Sequence, residues 1–210
     1  QAVEAAGQLA RGAFRGLVNG VLRSYLRQQT SLRSELHGDE AEYRHPAWWL
    51  NRLRAAYPES WPQIVAAGNA LPPMSLRVNC RHLTRDDYRQ RLSAVEIESS
   101  PVGDAGLRLA RPQPVEALPG FSEGWVSVQD AGAQRAAELL DVVAGQRVLD
   151  ACAAPGGKTA HLLEQADLDL LALEMDATRA RRIDENLARL GLKARVLVTD
   201  CRKVKSWWDG

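Results

Sequence analysis

Residues 150–159 read DACAAPGGKT, and this stretch is the strongest indication of the fold class in the sequence. The residues before it, QRVL at 146–149, are typical of the start of a short buried strand, and residues 159–164 are typical of a helix. A strand, a turn of small residues and a helix start form the corner at which open α/β sheets cradle a phosphate or a cofactor. Gly156 and Gly157 allow the backbone to approach a ligand, and Pro155 stiffens the turn before them.

Two phosphate-binding fingerprints are incomplete in this turn. A Walker A loop needs the pattern G-x-x-x-x-G-K-[ST]; GKT at 157–159 fits it, but Cys152 occupies the position of the first glycine. The dinucleotide pattern G-x-G-x-x-G is absent. An NTPase or dinucleotide enzyme stays open as a hypothesis, and it predicts that Lys158 contacts phosphates. Cys152 speaks against it.

Two further strand candidates end in carboxylates. Residues 168–173 (LDLLAL) precede Glu174, and residues 194–199 precede Asp200. Because open α/β folds bind ligands at the carboxyl edge of the sheet, all three corners belong to one binding edge. An acidic residue at the tip of the second strand can hold the hydroxyls of a ribose. The pattern predicts an adenosine-type cofactor without a triphosphate.

The stretch DACAAPGGKT resembles the first S-adenosylmethionine motif of the RNA cytosine-C5 methyltransferases. The similarity extends over essentially the whole chain. LPGFSEGWVSVQDAGAQ (118–134) is similar to the segment that leads into the methyltransferase domain of that family, and HPAWWLNRL (45–53) and PPMSLRVN (72–79) resemble the small domain before it. RGLVNGVLRSYLR (15–27) resembles the last helix of a NusB-like RNA-binding domain.

The resemblance implies an α/β fold with three parts. Residues 125–210 would form the first half of a Rossmann-like S-adenosylmethionine-dependent methyltransferase sheet, and residues 37–124 a small α+β domain before it. Residues 1–36 would be the C-terminal helix of an all-α NusB-like domain and a linker. Since the chain opens on Gln1 and stops after three strand candidates, we expect a fragment of a longer protein, truncated at both ends.

The same resemblance implies the cofactor site. Residues 152–158 would wrap the methionine and ribose of S-adenosylmethionine, Glu174 would hold the ribose hydroxyls, and Asp200 would meet the adenine edge. Arg179 would support Glu174, which stands where many members have the shorter Asp. Cys201 replaces a small glycine of the family after Asp200. The cofactor-binding set is Cys152, Ala153, Ala154, Pro155, Gly156, Gly157, Lys158, Glu174 and Asp200.

The implied reaction is methylation of carbon 5 of a cytosine in small-subunit (16S) ribosomal RNA through a covalent cysteine adduct. Cys80, Cys152 and Cys201 do not occupy the nucleophile motif of the family, and both catalytic cysteine motifs are expected beyond Gly210. We therefore assign no catalytic residue to this chain. The alternative is an RNA- or cofactor-binding fragment without activity.

Composition excludes several other classes. A net charge of +1 and a pI near 7.9 give no nucleic-acid footprint by themselves. The sequence has no signal peptide and no apolar run long enough for a membrane span, and its three cysteines lack C-x-x-C spacing. These features predict a soluble cytoplasmic protein without a metal, a disulfide framework or a membrane partner. The resemblance, and not the charge, implies ribosomal RNA as the partner, and we expect a monomer.

Other segments give local expectations. Residues 2–28 predict an amphipathic helix whose apolar stripe is core, and residues 31–43 predict a linker. The three tryptophans between residues 48 and 61 indicate either the core of a small domain or stacking platforms for bases.

Residues 74–79 alternate like a strand, with Arg77 and Asn79 on one face that contacts either solvent or RNA. Thr84, Asp130 and Asp176 are predicted helix N-caps.

Overall fold

The computed structural model describes residues 1–209, apart from the side chain of Ala10. The chain divides into two compact units, Gln1–Pro72 and the part that begins at Pro73.

The first unit is helical. Its helices are α1 (Ala2–Gln8), α2 (Arg15–Glu35), α3 (Asp39–Tyr43), α4 (Ala47–Ala56) and α5 (Trp61–Asn69), with a 3₁₀ turn at Leu9–Gly12 between the first two. The predicted single helix is therefore interrupted, at a point where Arg11 and Gly12 both have positive φ. The predicted linker at 31–43 is reduced to residues 36–38, because α2 continues to Glu35 and α3 begins at Asp39.

The apolar stripe of α2 was expected to be core, and this is wrong for the described residues. Leu17 and Val21 are 64% and 58% exposed, and α2 contains no buried residue. Apolar periodicity therefore identified the helix correctly without showing whether anything covers its stripe.

The three tryptophans of this unit occupy different environments. Trp49 is half-buried and stacks on His45. Trp61 is also half-buried and lies edge-on to Tyr43. Trp48 is 62% exposed, which contradicts a core role for this residue.

The second unit begins with a four-stranded antiparallel sheet in the order β2-β3-β1-β4. Its strands are β1 (Ser75–Val78), β2 (Ser99–Val102), β3 (Gly106–Leu109) and β4 (Val126–Val128), and helix α6 (Arg85–Ala94) follows β1. A short 3₁₀ helix, Val115–Ala117, lies between β3 and β4. Leu76, Val78 and Leu107 pack with Tyr88 and Leu92 of α6 into one core.

A second sheet follows in the same unit. Helix α7 (Ala131–Leu140) leads into the strands β5 (Arg147–Asp150), β6 (Asp169–Glu174) and β7 (Arg195–Val198), which are parallel and lie in that order. Helices α8 (Gly157–Gln165) and α9 (Ala177–Arg189) connect them. This alternation is the predicted Rossmann-like arrangement, and it brings the carboxyl ends of three strands to one edge.

The core of the parallel part joins one face of the sheet to its helices. Leu170 and Ala172 of β6 pack with Leu163 of α8 and Ile183 and Leu187 of α9. Helix α7 contributes Ala137 to this core and also contacts β1 and β3, so it is shared by the two sheets.

The predicted caps are confirmed at all three helices. Thr84 forms a capping box with Asp87, whereas Asp130 accepts hydrogen bonds from the N–H groups of Gly132 and Ala133. Asp176 caps α9 in the same way.

The opposite face of the parallel sheet is partly open. A cavity of about 350 Å³ lies there, bordered by Leu149 and Leu171 and by Trp207 and Trp208, which follow the 3₁₀ turn Val204–Ser206. In the described part of the chain, no helix is both long enough and apolar enough to cross a bilayer.

Candidate cofactor site

The turn after β5 is fixed by short hydrogen bonds. The Thr159 hydroxyl donates to Asp150 Oδ2 at 2.7 Å, which ties the start of α8 back to the end of β5. The Ala153 N–H donates to the Leu173 carbonyl at 3.0 Å, and the Gly156 N–H donates to the Ala153 carbonyl at 2.6 Å. The turn is therefore attached to both β5 and β6.

Gly156 is required in this turn for two independent reasons. Its φ of +94° lies in the region that residues with a Cβ rarely adopt. A Cβ built on it would also lie 3.2 Å from Ile183 Cγ2 and 3.3 Å from Ile183 Cα. The small residue thus allows the turn to pack directly against α9.

The first turn of α8 presents backbone N–H groups without a side-chain cap. Gly156 is the N-cap residue and has no side chain that could accept them. Gly157 is half-buried and Lys158 is exposed. Because an uncapped helix N-terminus favours a negative or polar group, this turn fits a carboxylate or a hydroxyl of a ligand.

Glu174 is the last residue of β6, and its carboxylate is largely buried at 6% exposure. Oε1 accepts a hydrogen bond from the Asp176 N–H at 3.1 Å. Arg179 Nη1 lies 3.8 Å from Oε2, and Arg179 Nη2 donates to the Ala154 carbonyl at 3.3 Å. The predicted pairing of Arg179 with Glu174 is present as a long contact that also reaches the turn.

Asp200 follows β7, and its carboxylate is bound by a neighbour. Arg202 donates through Nη2 to Oδ2 at 2.6 Å and through its backbone N–H to Oδ1 at 2.9 Å. These hydrogen bonds lower the pKa of the Asp200 carboxyl to about 2, and those from the Arg202 side chain contribute more than the one from its backbone. Asp200 is therefore ionised, and a ligand at this carboxylate must share it with the Arg202 side chain, which is 83% exposed.

The parallel register brings these elements side by side. Asp150 of β5 pairs with Ala172 of β6, and Glu174 of β6 pairs with Val198 of β7. The Thr199 N–H donates to the Glu174 carbonyl at 3.0 Å, just before Asp200. The turn, Glu174 and Asp200 thus end three neighbouring strands at a single edge.

Arg77 lies behind this edge, and its predicted contact with solvent or RNA is wrong. Its side chain is fully buried, and Nε and Nη2 donate to the two carboxylate oxygens of Glu164 on α8 at 2.8 and 2.7 Å. Nη1 donates to Gln129 Oε1 at 2.6 Å and to the Gly157 carbonyl at 2.8 Å. Burial raises the pKa of the Glu164 carboxyl, while the hydrogen bonds and charge of Arg77 oppose that rise.

Asn79 is also buried, which corrects the second half of the same prediction. Its Nδ2 donates to the Gly124 carbonyl at 3.1 Å, and its Oδ1 accepts from the Arg81 N–H at 3.1 Å. The polar face of β1 is thus covered within the unit. In the sequence, the alternation in 74–79 showed a polar face but not its partner.

Arg189, at the end of α9, makes a second polar link to the antiparallel part. It donates to the carbonyls of Phe121 and Val126 at 2.6 and 3.1 Å and to the Ser127 hydroxyl at 3.1 Å. Nothing in the sequence marks Arg189 as functional, because it lies in a helix of mixed charge.

His161 on α8 is buried with its Nδ1 unpartnered among the described residues. Burial, and to a smaller extent the charge of Arg77, lowers the pKa of this imidazole to about 4. His161 is therefore neutral near pH 7.

The three cysteines are free thiols. Cys152 is exposed within the turn, and Cys201 is half-buried next to Asp200. Partial burial raises the pKa of the Cys80 thiol, which disfavours its thiolate.

Two family models match the chain. The model described as the ferredoxin-like domain of RsmF/B-like methyltransferases matches residues 45–116. The model described as 16S rRNA methyltransferase RsmB/F matches residues 137–210, which include the turn, Glu174 and Asp200.

Curated relatives match over the full chain. Ribosomal RNA small subunit methyltransferase B of Pseudomonas syringae is 48% identical, with 100% of this chain and 48% of the relative covered. The protein of the same name from Vibrio cholerae is 47% identical, with 100% and 49% covered. The chain therefore spans about half the length of the curated relatives it matches.

A solved structure supports the fold. A methyltransferase homologue from Pyrococcus horikoshii superposes with a TM-score of 0.70 at 25% identity, over 80% of this chain and 57% of that one. Family models, relatives and fold agree with the geometry of the strand edge. The chain belongs to the RsmB/F family of RNA methyltransferases.

Proposed function

We propose that the intact protein uses S-adenosylmethionine to methylate carbon 5 of a cytosine in 16S ribosomal RNA. The observation that carries the proposal is the edge formed by the turn at 152–158, Glu174 and Asp200, within a chain of the RsmB/F family. The relatives are named ribosomal RNA small subunit methyltransferases, which supports ribosomal RNA as the substrate and methyl transfer as the reaction.

The residues at this edge fit the proposed cofactor. The uncapped first turn of α8 would hold the methionine carboxylate. Glu174, whose Oε2 makes one long contact among the described residues, would accept the ribose hydroxyls. Asp200, ionised at working pH, would accept from the adenine amino group once Arg202 yields part of the carboxylate. When bound, S-adenosylmethionine supplies the methyl group from its sulfonium.

The turn residues would act mainly through their backbone. Cys152, Ala154 and Pro155 line the exposed part of the turn, while Ala153 and Gly156 are buried against β6 and α9. Gly157 and Lys158 open α8. These residues would contribute shape and N–H groups rather than acid–base chemistry.

The chemistry at cytosine needs a thiolate that attacks carbon 6, so that carbon 5 becomes nucleophilic enough to take the methyl group. A base then removes the proton from carbon 5, and the thiolate leaves. We assign neither group to Cys80, Cys152 or Cys201, and we place both outside residues 1–210. The target base has to be unstacked to reach the site.

The organisation of the protein belongs to the same proposal. We infer a C-terminal helix of a NusB-like domain with a linker at 1–36, a small α+β domain at 37–124 and the start of the methyltransferase domain at 125–210. A cytoplasmic monomer that binds ribosomal RNA is consistent with this organisation.

The test is methyl transfer by the intact protein. Labelled S-adenosylmethionine and 16S ribosomal RNA should give 5-methylcytosine, identified by mass spectrometry of the nucleosides. Glu174→Ala should raise the KM for S-adenosylmethionine with a smaller change in kcat, because Glu174 would contact the ribose of the cofactor and not the reacting base. A methylated product other than 5-methylcytosine would refute the proposed position.

A second candidate is an RNA- or cofactor-binding module without activity, favoured by the fact that none of Cys80, Cys152 and Cys201 is assigned as a nucleophile. Methyl transfer by the 210-residue chain alone separates the two possibilities. Turnover would show that a cysteine of this chain suffices, whereas cofactor binding without turnover supports the module.

A further inference from the structure

Arg77 contacts both ends of helix α8 from the neighbouring antiparallel sheet. Its guanidinium holds the Glu164 carboxylate in the last turn of α8 through two hydrogen bonds of 2.8 and 2.7 Å. The same group donates to the Gly157 carbonyl in the first turn at 2.8 Å. One side chain thus fixes the helix at its cofactor end and at its far end.

We propose that Arg77 is a positioning residue of the cofactor site, which sets the Gly156–Gly157 backbone relative to the antiparallel sheet. The inference rests on the proposed function, since it assumes that this backbone holds S-adenosylmethionine. It adds a residue that lies in the α+β part of the unit and not on the binding edge itself.

Arg77 is itself held rigidly. It lies in the middle of β1, where Arg77 pairs with Gly106 of β3 and Ser127 of β4. Gln129, which accepts from Nη1, is anchored by its own backbone: its N–H donates to the Ser75 carbonyl and its carbonyl accepts from Gln134 Nε2. The position of the guanidinium is therefore set by the sheet.

Stability alone does not explain why Arg77 and Glu164 form a buried ion pair at this position. Replacing a buried pair by apolar side chains of similar volume is often neutral or stabilising, because the two charges lose their hydration. The contact that apolar side chains cannot replace is the hydrogen bond to the Gly157 carbonyl. Arginine suits it, because its planar fork reaches two carboxylate oxygens and still has donors for Gln129 and Gly157.

Arg77 can affect ligand binding because the carbonyl that it contacts, that of Gly157, belongs to the cofactor turn itself. Gly157 is the first residue of α8 and directly follows Gly156, the N-cap residue with a φ of +94°. A shift of the Gly157 carbonyl displaces the N–H groups of the same turn. In catalysis, a misplacement of about 1 Å can cost on the order of 100-fold in rate. We expect the affinity for a cofactor held by these N–H groups to be sensitive to the same displacement.

The test compares stability and cofactor affinity in the intact protein. Arg77→Met combined with Glu164→Leu removes both charges and keeps an apolar pair of similar size. Arg77→Lys keeps the buried cation, but its single nitrogen with three donors cannot reproduce the four hydrogen bonds to Glu164, Gln129 and Gly157. Arg81→Ala is the matched control, since the Arg81–Asp167 bridge of 2.7 Å joins the same two parts at an exposed position.

Each variant is melted by circular dichroism and titrated with S-adenosylhomocysteine in a calorimeter. The double variant should keep a Tm close to that of the wild type and bind about tenfold more weakly or worse. Arg77→Lys should be intermediate, and Arg81→Ala should bind as the wild type does.

Binding by the double variant within twofold of the wild type would overturn the proposal. Loss of folding in both Arg77 variants would overturn it as well, because the role of Arg77 would then be structural. If the wild type itself does not bind S-adenosylhomocysteine, the proposed function fails instead, so the two failures are distinguishable.

Discussion

Replacement of Gly156 by alanine should destabilise the second unit more than the same replacement at Gly145. Both glycines have positive φ, +94° and +83°, and both lie in the unit that begins at Pro73. They differ in their surroundings. A Cβ on Gly156 would meet Ile183 Cγ2 at 3.2 Å and Ile183 Cα at 3.3 Å, whereas a Cβ on Gly145 would meet nothing within 4 Å.

The expected loss of stability has two contributions, the strain of a positive φ and overpacking against Ile183. Alanine in the left-handed region costs about 1–2 kcal/mol, and this cost applies at both positions. Overpacking costs about 1–3 kcal/mol and applies only at Gly156, because the backbone of Ile183 cannot move away as a flexible side chain would. We expect a loss of about 2–5 kcal/mol for Gly156→Ala and about 1–2 kcal/mol for Gly145→Ala.

Urea unfolding of the intact protein, followed by circular dichroism and extrapolated linearly to water, measures both values. The lost conformational freedom of the unfolded chain is the same in both variants and cancels in the comparison. Equal losses of stability at Gly156 and Gly145 would refute the close packing of the turn against α9.

Three further outcomes are expected. The pKa of His161 is about 4 in the folded protein, below its ordinary 6.5, so its contribution to stability is present above pH 6.5 and is lost as the pH falls toward 4. His161→Phe should therefore make the urea midpoint depend less on pH between 6.5 and 4. An unchanged pH dependence would contradict the burial of His161 as a neutral imidazole. Arg81→Ala should change the free energy of unfolding by less than about 1 kcal/mol, since Asp167 is 87% exposed, and a larger loss in thermal melts would show that this bridge is not solvent-screened. Asp200→Asn should weaken S-adenosylhomocysteine binding by about 10- to 100-fold in calorimetry, the usual loss for a hydrogen bond to a charged group. Because Asp200 is fully ionised above about pH 5, its titration should not make the wild-type affinity depend on pH there. Equal affinity in the two proteins would remove Asp200 from the site.

The parallel half of the fold could be predicted because several local signals agree there. Short apolar runs, glycines after the first strand and Asp caps before helices all give the same boundaries to within about two residues. Asp130 and Asp176 cap α7 and α9 as expected, and β6 ends at Glu174.

The environment of Arg77 could not be predicted, because it depends on contacts between distant parts of the chain. Its partner Glu164 lies 87 positions away, and an alternating strand has the same pattern whether its polar face meets water or a buried carboxylate. The only available signal was Glu164 beside Leu162 and Leu163 in a helix that packs on a sheet.

The stripe of α2 shows the opposite limitation. Its helical spacing was recognised correctly, yet Leu17 and Val21 are exposed in the described residues. Periodicity reports which side chains share a face, and it does not report what that face contacts.

The decisive measurement is calorimetry of the intact protein, titrated in parallel with S-adenosylhomocysteine and with Mg²⁺-ATP. It shows whether the turn between β5 and α8 binds an adenosyl cofactor. The predicted result is one-site binding of S-adenosylhomocysteine that weakens in Glu174→Ala, with no heat of binding from ATP. Binding of ATP that depends on Lys158, together with no binding of S-adenosylhomocysteine, would contradict it.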